Sequence, residues 1–227
     1  MPTTLDGPRI EPHSGGSARQ LIVFVHGYGA DGNDLIDIGH AWQTLLPDAA
    51  FVSPHAPEPC GQAPIGRQWF MLTDRDPQER WRGVNAAAPI LEAFIDAELA
   101  RRALPPAALA LVGFSQGAMM SLHIGLRRAV APAAVVGYSG MLVLAADSAA
   151  MPAAIASKPP VLLVHGDQDD VIPAPALFHA AQELAGLGVP TEWHLSQGVG
   201  HGIDQEGLRH GGEFLARRFG MTGAQGR

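Results

Sequence analysis

The chain has 227 residues, 47% of them hydrophobic and 16% charged, with a formal net charge of −7. That length carries one α/β domain with a sizeable core, and the balance of apolar to charged residues excludes a disordered chain. The acidic balance, with no basic stripe, excludes nucleic acid as a partner, because phosphate binding needs clustered Lys and Arg.

In chain order, the first twenty residues, MPTTLDGPRIEPHSGGSARQ, lack the apolar h-region of a signal peptide, and Leu5 to Glu11 reads as an added edge strand. Leu21 to Val25 reads as a buried strand, Leu35 to Leu46 as a helix stopped before Pro47, and Ala50 to Val52 as a short strand. Residues 53 to 68, rich in Pro and Gly, read as a long loop. An Ala-rich helix from about Val84 to Ala103 stops at Pro105-Pro106. A strand over Leu109–Val112 and a buried helix over Ala118–Arg128 follow. Further strands are expected at Ala133–Tyr138, Val161–His165 and Thr191–Leu195, with helices at Pro175–Leu187 and Glu206–Phe219.

Short apolar strands alternating with longer helices indicate a mostly parallel sheet with helices on both faces. The organisation expected is a single domain over residues 1–227, with 1–18 as an N-terminal segment and 221–227 as a flexible tail. Ligands of such sheets bind beyond the carboxyl ends of the strands, so the loops there are where chemistry is sought. The one cysteine, Cys60, cannot form an internal disulfide and fits a reducing compartment. With no apolar stretch of membrane-spanning length, stable membrane insertion is not expected, and a cytoplasmic location is.

Two glycine motifs compete. Gly27, Gly29 and Gly32 spell G-x-G-x-x-G directly after a strand. With 27 Gly in the chain, roughly 0.4 such matches arise by chance. A dinucleotide site also wants an acidic residue at the end of the next strand, where this chain has Ser53-Pro54-His55. The nucleotide reading is therefore set aside.

Gly113-Phe114-Ser115-Gln116-Gly117 is G-x-S-x-G, set between a strand and a helix as a nucleophile elbow requires. A serine nucleophile needs a base, and the base an orienting acid, in the chain order Ser, acid, His for this architecture. Two later strands each run into a suitable loop: His165-Gly166-Asp167-Gln168-Asp169-Asp170, then Gly198-Val199-Gly200-His201-Gly202. Local physics alone does not choose among Asp167, Asp169 and Asp170.

These residues resemble the carboxylesterases and lysophospholipases that include the acyl-protein thioesterases, small lidless α/β-hydrolases. The stretches that carry the resemblance are VFVHGYGADGNDL, Arg67-Gln68-Trp69-Phe70, LVGFSQGAMM, VGYSGML, LLVHGDQDDVIP and GVGHGI, spread from about residue 20 to residue 219. The resemblance implies the α/β-hydrolase fold without a large lid domain. It implies Ser115 as nucleophile, His201 as base and Asp169 as triad acid, with Asp167 bonding loop backbone and Asp170 facing solvent. The glycine loop becomes half of an oxyanion hole, whose donors are the backbone N–H groups of Tyr28 and Gln116. The family usually has an aliphatic residue where this chain has Tyr28. Trp69 and Phe70 are expected as walls of an acyl pocket or as core packing, and Met141 and Val171 as further wall candidates. Met119-Met120 reads as core packing.

The expected activity is that of a serine carboxylesterase acting on short- to medium-chain acyl esters, a small-molecule substrate. Lysophospholipids and acyl-protein thioesters are the alternative substrates, and a catalytically silent binding protein is the rival class. No cofactor is expected. Without H-E-x-x-H or clustered Cys/His spacing, no metal is expected either. His194 and His210 read as surface or helix residues. Family members are often homodimers, and no apolar patch legible in the sequence marks such an interface.

Overall fold

The computed structural model describes residues 4–61, 63, 65–73, 76–144 and 155–221. Three strands open the chain: β1 (Arg9–Ile10), β2 (Gln20–Val25) and β3 (Ala49–Val52). Two short stretches of the Pro/Gly-rich segment pair as well, where β4 (Glu58–Pro59) runs antiparallel to β5 (Arg67–Gln68). Strands β6 (Leu109–Phe114), β7 (Ala134–Tyr138), β8 (Val161–Gly166) and β9 (Thr191–Ser196) follow. Seven of these form one sheet in the order β1-β3-β2-β6-β7-β8-β9. Every neighbouring pair in it is parallel except β1 on β3, where Arg9 faces Val52 and Ile10 faces Phe51.

Helices α1 (Asn33–Trp42), α2 (Pro77–Arg101), α3 (Gln116–Gly125), α4 (Pro175–Gly186) and α5 (Gln205–Arg218) cover the sheet. The inward residues of each strand alternate between two cores. Leu21, Val23 and Val25 pack towards α2, α3 and α4, with Leu91, Ile95, Leu122 and Leu177. Ile22 and Phe24 pack towards α1 and α5, with Leu35, Trp42, Phe214 and Leu215. Burial on both faces explains why the central strands read as continuous apolar runs.

Element edges depart from the sequence reading for local reasons. Helix α2 begins seven residues earlier than Val84, because the Asp76 carboxylate accepts the Gln78 N–H at 2.9 Å and Pro77 is pre-set for a first helical turn. Helix α3 begins at Gln116, directly on the elbow. Helix α1 stops at Trp42, and a backbone bond from Leu46 N–H to Trp42 O closes the chain into turns after it. Of the segment expected as a tail, only Met221 lies among the described residues, and it packs on the α1–α5 core.

The N-terminal segment is tied down by charge. Glu98, 4% exposed, accepts from Arg9 at 3.0 and 2.8 Å, from Arg101 at 3.0 Å and from Arg102 at 2.5 Å. Burial raises the Glu98 carboxyl, but the guanidinium partners outweigh it and hold the group below its usual range. The β1 segment is thereby fastened to the end of α2.

Two histidines are buried without such anionic company. Burial pushes His26 down to about 4, against a bond from its ring to Gly27 O. Burial, with Arg127 nearby, pushes His123 down to about 3. Both are neutral when folded but take a proton near pH 6.5 when unfolded. Folding therefore excludes protons, and stability present above pH 6.5 is lost as pH falls towards 4, by about 1.4 kcal/mol per pH unit for each group. His123 Nδ1 has no hydrogen-bond partner, so an apolar ring of similar size is tolerated there. Urea unfolding of wild type and His123→Phe is expected to diverge by about 2 kcal/mol between pH 6.5 and 5, with the variant losing less. A difference independent of pH would show that His123 takes up its proton as readily in the folded chain as in the unfolded one.

Candidate active site

The strand order reverses between β3-β2 and β6-β7-β8-β9, which opens a crevice at the carboxyl ends of β2 and β6. The His26–Ala30 loop leaves β2 there, and Ser115 leaves β6. Loops after β8 and β9 bring Asp169 and His201 to the same end.

Ser115 sits between β6 and α3 with φ +54° and ψ −115°, a backbone state that non-glycine residues rarely hold. The surroundings over-determine it. Ser115 N–H donates to Tyr138 O at 2.9 Å, and Ser115 O accepts from Ala118 at 3.0 Å and Met119 at 3.2 Å. Glycine on either side is a steric requirement. A Cβ on Gly113 would lie 2.2 Å from Gly117 O, and one on Gly117 would lie 1.8 Å from Val25 O.

His201 Nε2 lies 3.0 Å from Ser115 Oγ, and His201 Nδ1 lies 2.8 Å from Asp169 Oδ2. Asp169 has its side chain closed to solvent. Its Oδ1 accepts the Val171 and Ile172 N–H groups at 2.9 and 2.8 Å, and the His165 ring stands 3.1 Å from Oδ2. Burial raises this carboxyl, yet the bond to His201 and the two backbone N–H groups prevail and keep it below its ordinary value. The carboxylate is thus held ionised against the imidazole. Asp167 turns the other way, where its Oδ1 accepts the Gly198 N–H at 2.7 Å and ties the two loops together. Asp170 is exposed.

Of the two expected oxyanion donors, Gln116 is the first residue of α3, where a backbone N–H has no carbonyl one turn earlier to bond. The Tyr28 N–H has no backbone acceptor among the described residues. The Gln116 side chain, fully buried, accepts the Trp69 N–H at 3.0 Å and donates to Phe70 O at 2.7 Å. Trp69 Nε1 donates to His26 O at 3.0 Å, and His26 Nε2 accepts the Ala56 N–H at 3.0 Å. Gly29 N–H donates to Arg67 O and Arg67 N–H to Ala30 O, at 2.9 and 2.8 Å. One network therefore fixes both amides.

Of the two expectations for Trp69 and Phe70, that network goes with core packing and not with a pocket wall. Trp69 is 1% exposed and Phe70 5% exposed; they pack in the core, where Phe70 abuts Gly83. The groove at Ser115 and His201 is lined instead by Tyr28, Leu72, Met119, Met141, Val171 and Arg80, among others. Met119 reaches this groove from a position that reads as core. The neighbouring Cys60 thiol, with burial, pushes the Tyr28 phenol up to about 12.

Sequence reasoning missed Ser139. It also has a positive φ, +46°, and is buried at the end of β7. Its Oγ donates to Gly202 O at 3.0 Å and steadies the loop that carries His201. The Ser-Gly pair directly after an apolar strand was the available signal. Among the described residues, one cluster has the side chains to hold a metal ion, His194, Glu206 and His210, and none of the proposed triad belongs to it. Among the described residues no helix is long and apolar enough to cross a membrane.

Known proteins share this architecture. The model of the phospholipase/carboxylesterase family matches residues 6–218. The esterase YpfH of Escherichia coli is 29% identical over 192 residues, covering 85% of this chain and 80% of the relative. Acyl-protein thioesterase 1 of Gibberella zeae is 28% identical over 219 residues, covering 87% and 90%. The crystal structure of esterase PE8 superposes with a TM-score of 0.89 at 44% identity, covering 94% of this chain and 99% of that one. With an α/β-hydrolase sheet, an elbow serine and a family match over nearly its whole length, the chain belongs to the phospholipase/carboxylesterase family, whose named relatives here are esterases and thioesterases.

Proposed function

We propose that this chain is a serine carboxylesterase that hydrolyses short- to medium-chain acyl esters through a covalent acyl-enzyme. The observation that carries the proposal is His201 suspended between Ser115 Oγ at 3.0 Å and a buried, ionised Asp169 at 2.8 Å. Ser115 attacks the acyl carbonyl while His201 Nε2 takes its proton. Asp169 holds the imidazole tautomer with Nδ1–H towards itself and stabilises the cation that forms. The Tyr28 and Gln116 amides receive the developing oxyanion, already oriented by the Gln116–Trp69–His26 network. His201 returns the proton to the leaving alcohol, then activates water for deacylation. No step in this sequence calls for a cofactor.

Chain length follows from the walls. Met141 lines both the groove and a small adjoining apolar cavity bounded by Ala118, Leu122, Leu163 and Leu177. A short acyl group fits against Met141 and Met119, whereas a long one has to run along the open groove past Val171. A second reading keeps the chemistry and changes the substrate to an acyl thioester. The similarity to an acyl-protein thioesterase over 87% of this chain favours it.

Initial rates on p-nitrophenyl esters from acetate to palmitate separate these readings. A peak at short chains, abolished about 10⁶-fold in kcat by Ser115→Ala, is expected. A peak at long chains would move the substrate to thioesters or lysophospholipids. No serine-dependent rate on esters or thioesters would leave only a silent binding protein. The acid assignment has its own check. Asp169→Asn is expected to lower kcat about 10⁴-fold by allowing the wrong tautomer, and Asp167→Asn less than about tenfold, since the Asn amide oxygen can still accept the Gly198 N–H. Equal losses would reject Asp169 as the triad acid.

A further inference from the structure

Helix α5 docks on edge strand β9 through polar side chains. Along β9, Glu192, His194 and Ser196 share one face of the strand. Glu192 meets Arg217 and Arg218, each at 2.7 Å, and Ser196 Oγ donates to Asp204 at 2.8 Å. Between these satisfied pairs lies His194, whose Nε2 is closed to solvent and has no hydrogen-bond partner. Its ring stands 4.3 Å, centroid to centroid, from that of His210. Glu206, one turn before His210, places Oε1 3.7 Å from His210 Nε2. One ligand atom from each of His194, Glu206 and His210 lies within 4.8 Å of the other two.

We propose that these three residues bind a divalent transition-metal ion, Zn²⁺ foremost, which clamps the base of the loop that carries His201. Two imidazoles and a carboxylate are a ligand set that zinc favours, with water completing the tetrahedron. Calcium and magnesium prefer all-oxygen shells and are poorly served by it. Zinc–nitrogen bonds of about 2.0–2.1 Å place tetrahedral ligand atoms about 3.4 Å apart, so the donors close in by about 1 Å. Glu206 and His210 have the freedom to do so, with side chains 58% and 33% exposed. The ion also engages the orphaned His194 nitrogen, which otherwise costs stability.

One cation already stands near this point. Arg209 Nη2 is 3.3 Å from His210 Nε2 and 3.8 Å from Glu206 Oε1. Its Nη1 holds both oxygens of Glu213 at 3.0 and 2.9 Å, so the guanidinium has a carboxylate to retain when the metal displaces Nη2. The ligands are not adjacent in sequence: strand β9 supplies one and helix α5 two. That separation is why the spacing of the chain signals no metal motif. The residues between His194 and Glu206 include the whole Gly198–Gly202 loop with His201. Closing both ends of a loop on one ion restricts it where the proposed base is held.

The test uses untagged protein at pH 7.5 and Zn²⁺ as probe, in competition with a chromophoric chelator. One equivalent is expected to bind at low-micromolar dissociation constant. Saturating Zn²⁺ is expected to raise the melting temperature by about 5–10 °C, while Mg²⁺ leaves it unchanged. His194→Gln and the surface variant His210→Gln are each expected to weaken binding at least tenfold and to remove the thermal shift. His201→Gln is expected to retain both. Absence of binding up to about 100 µM Zn²⁺ would overturn the proposal. So would binding that survives His210→Gln in a folded protein, or binding that His201→Gln abolishes, which would place the ion at the catalytic histidine.

Discussion

The approach of helix α3 to strand β2 is the constraint on which the site depends. Gly117 lies so close to the end of β2 that any side chain atom there would meet Val25 O at 1.8 Å. Only that contact lets the N-terminus of α3 point its first amides into the crevice while the His26–Ala30 loop turns over it from the other side. Gly113 permits the same closeness one step earlier, against Gly117 O. Between them Ser115 has to take a positive φ, and its strain is balanced by bonds to Tyr138, Ala118 and Met119 and by a helix buried along its whole length. The proposed nucleophile is therefore fixed by the core and not by its own loop.

The same contact explains why buried polar side chains gather behind the crevice. Gln116, His26 and Trp69 are closed off from solvent, yet each satisfies a backbone group of a neighbouring loop. In a low-dielectric interior such bonds are costly to leave unmade, so the loops have one arrangement in which all of them close. Keeping His26 neutral is part of that. A charged imidazole could not accept the Ala56 N–H, and the burial that lowers its pKa also preserves the acceptor.

The architecture was legible because the central strands are buried on both faces and bounded by Gly and Pro. The elbow was legible because its glycines are steric necessities with a fixed spacing. Asp169 was not distinguishable from Asp167 and Asp170 by local residue chemistry; what separates them is which carboxylate the β8 loop turns inward, towards Val171, Ile172 and His201. Trp69 and Phe70 stayed undecided between pocket wall and core packing for a related reason. A Pro/Gly-rich stretch suggests exposure, but the β4–β5 ladder and the Gln116 amide fold the end of that stretch back beneath the loops of the proposed oxyanion donors. Ser139 and the His194–His210 contact depend on neighbours more than ten residues away and leave little trace along the chain.

The division between core and edge also assigns different mechanical roles to the proposed triad. Ser115 rises from β6, in the interior of the sheet, whereas His201 follows β9, an edge strand whose α5 face is polar. The loop carrying His201 is held by discrete hydrogen bonds: Asp169 to the ring, Ser139 to Gly202 O and Asp167 to the Gly198 N–H. A base that takes a proton from Ser115 and hands it to a leaving group needs only a small ring displacement, and such bonds allow it without disturbing apolar packing. Ser115 cannot shift in that way, because moving it means moving α3 against Val25. The fold thus places its stiffest packing under the proposed attacking atom and leaves the proposed proton carrier on its more yielding border.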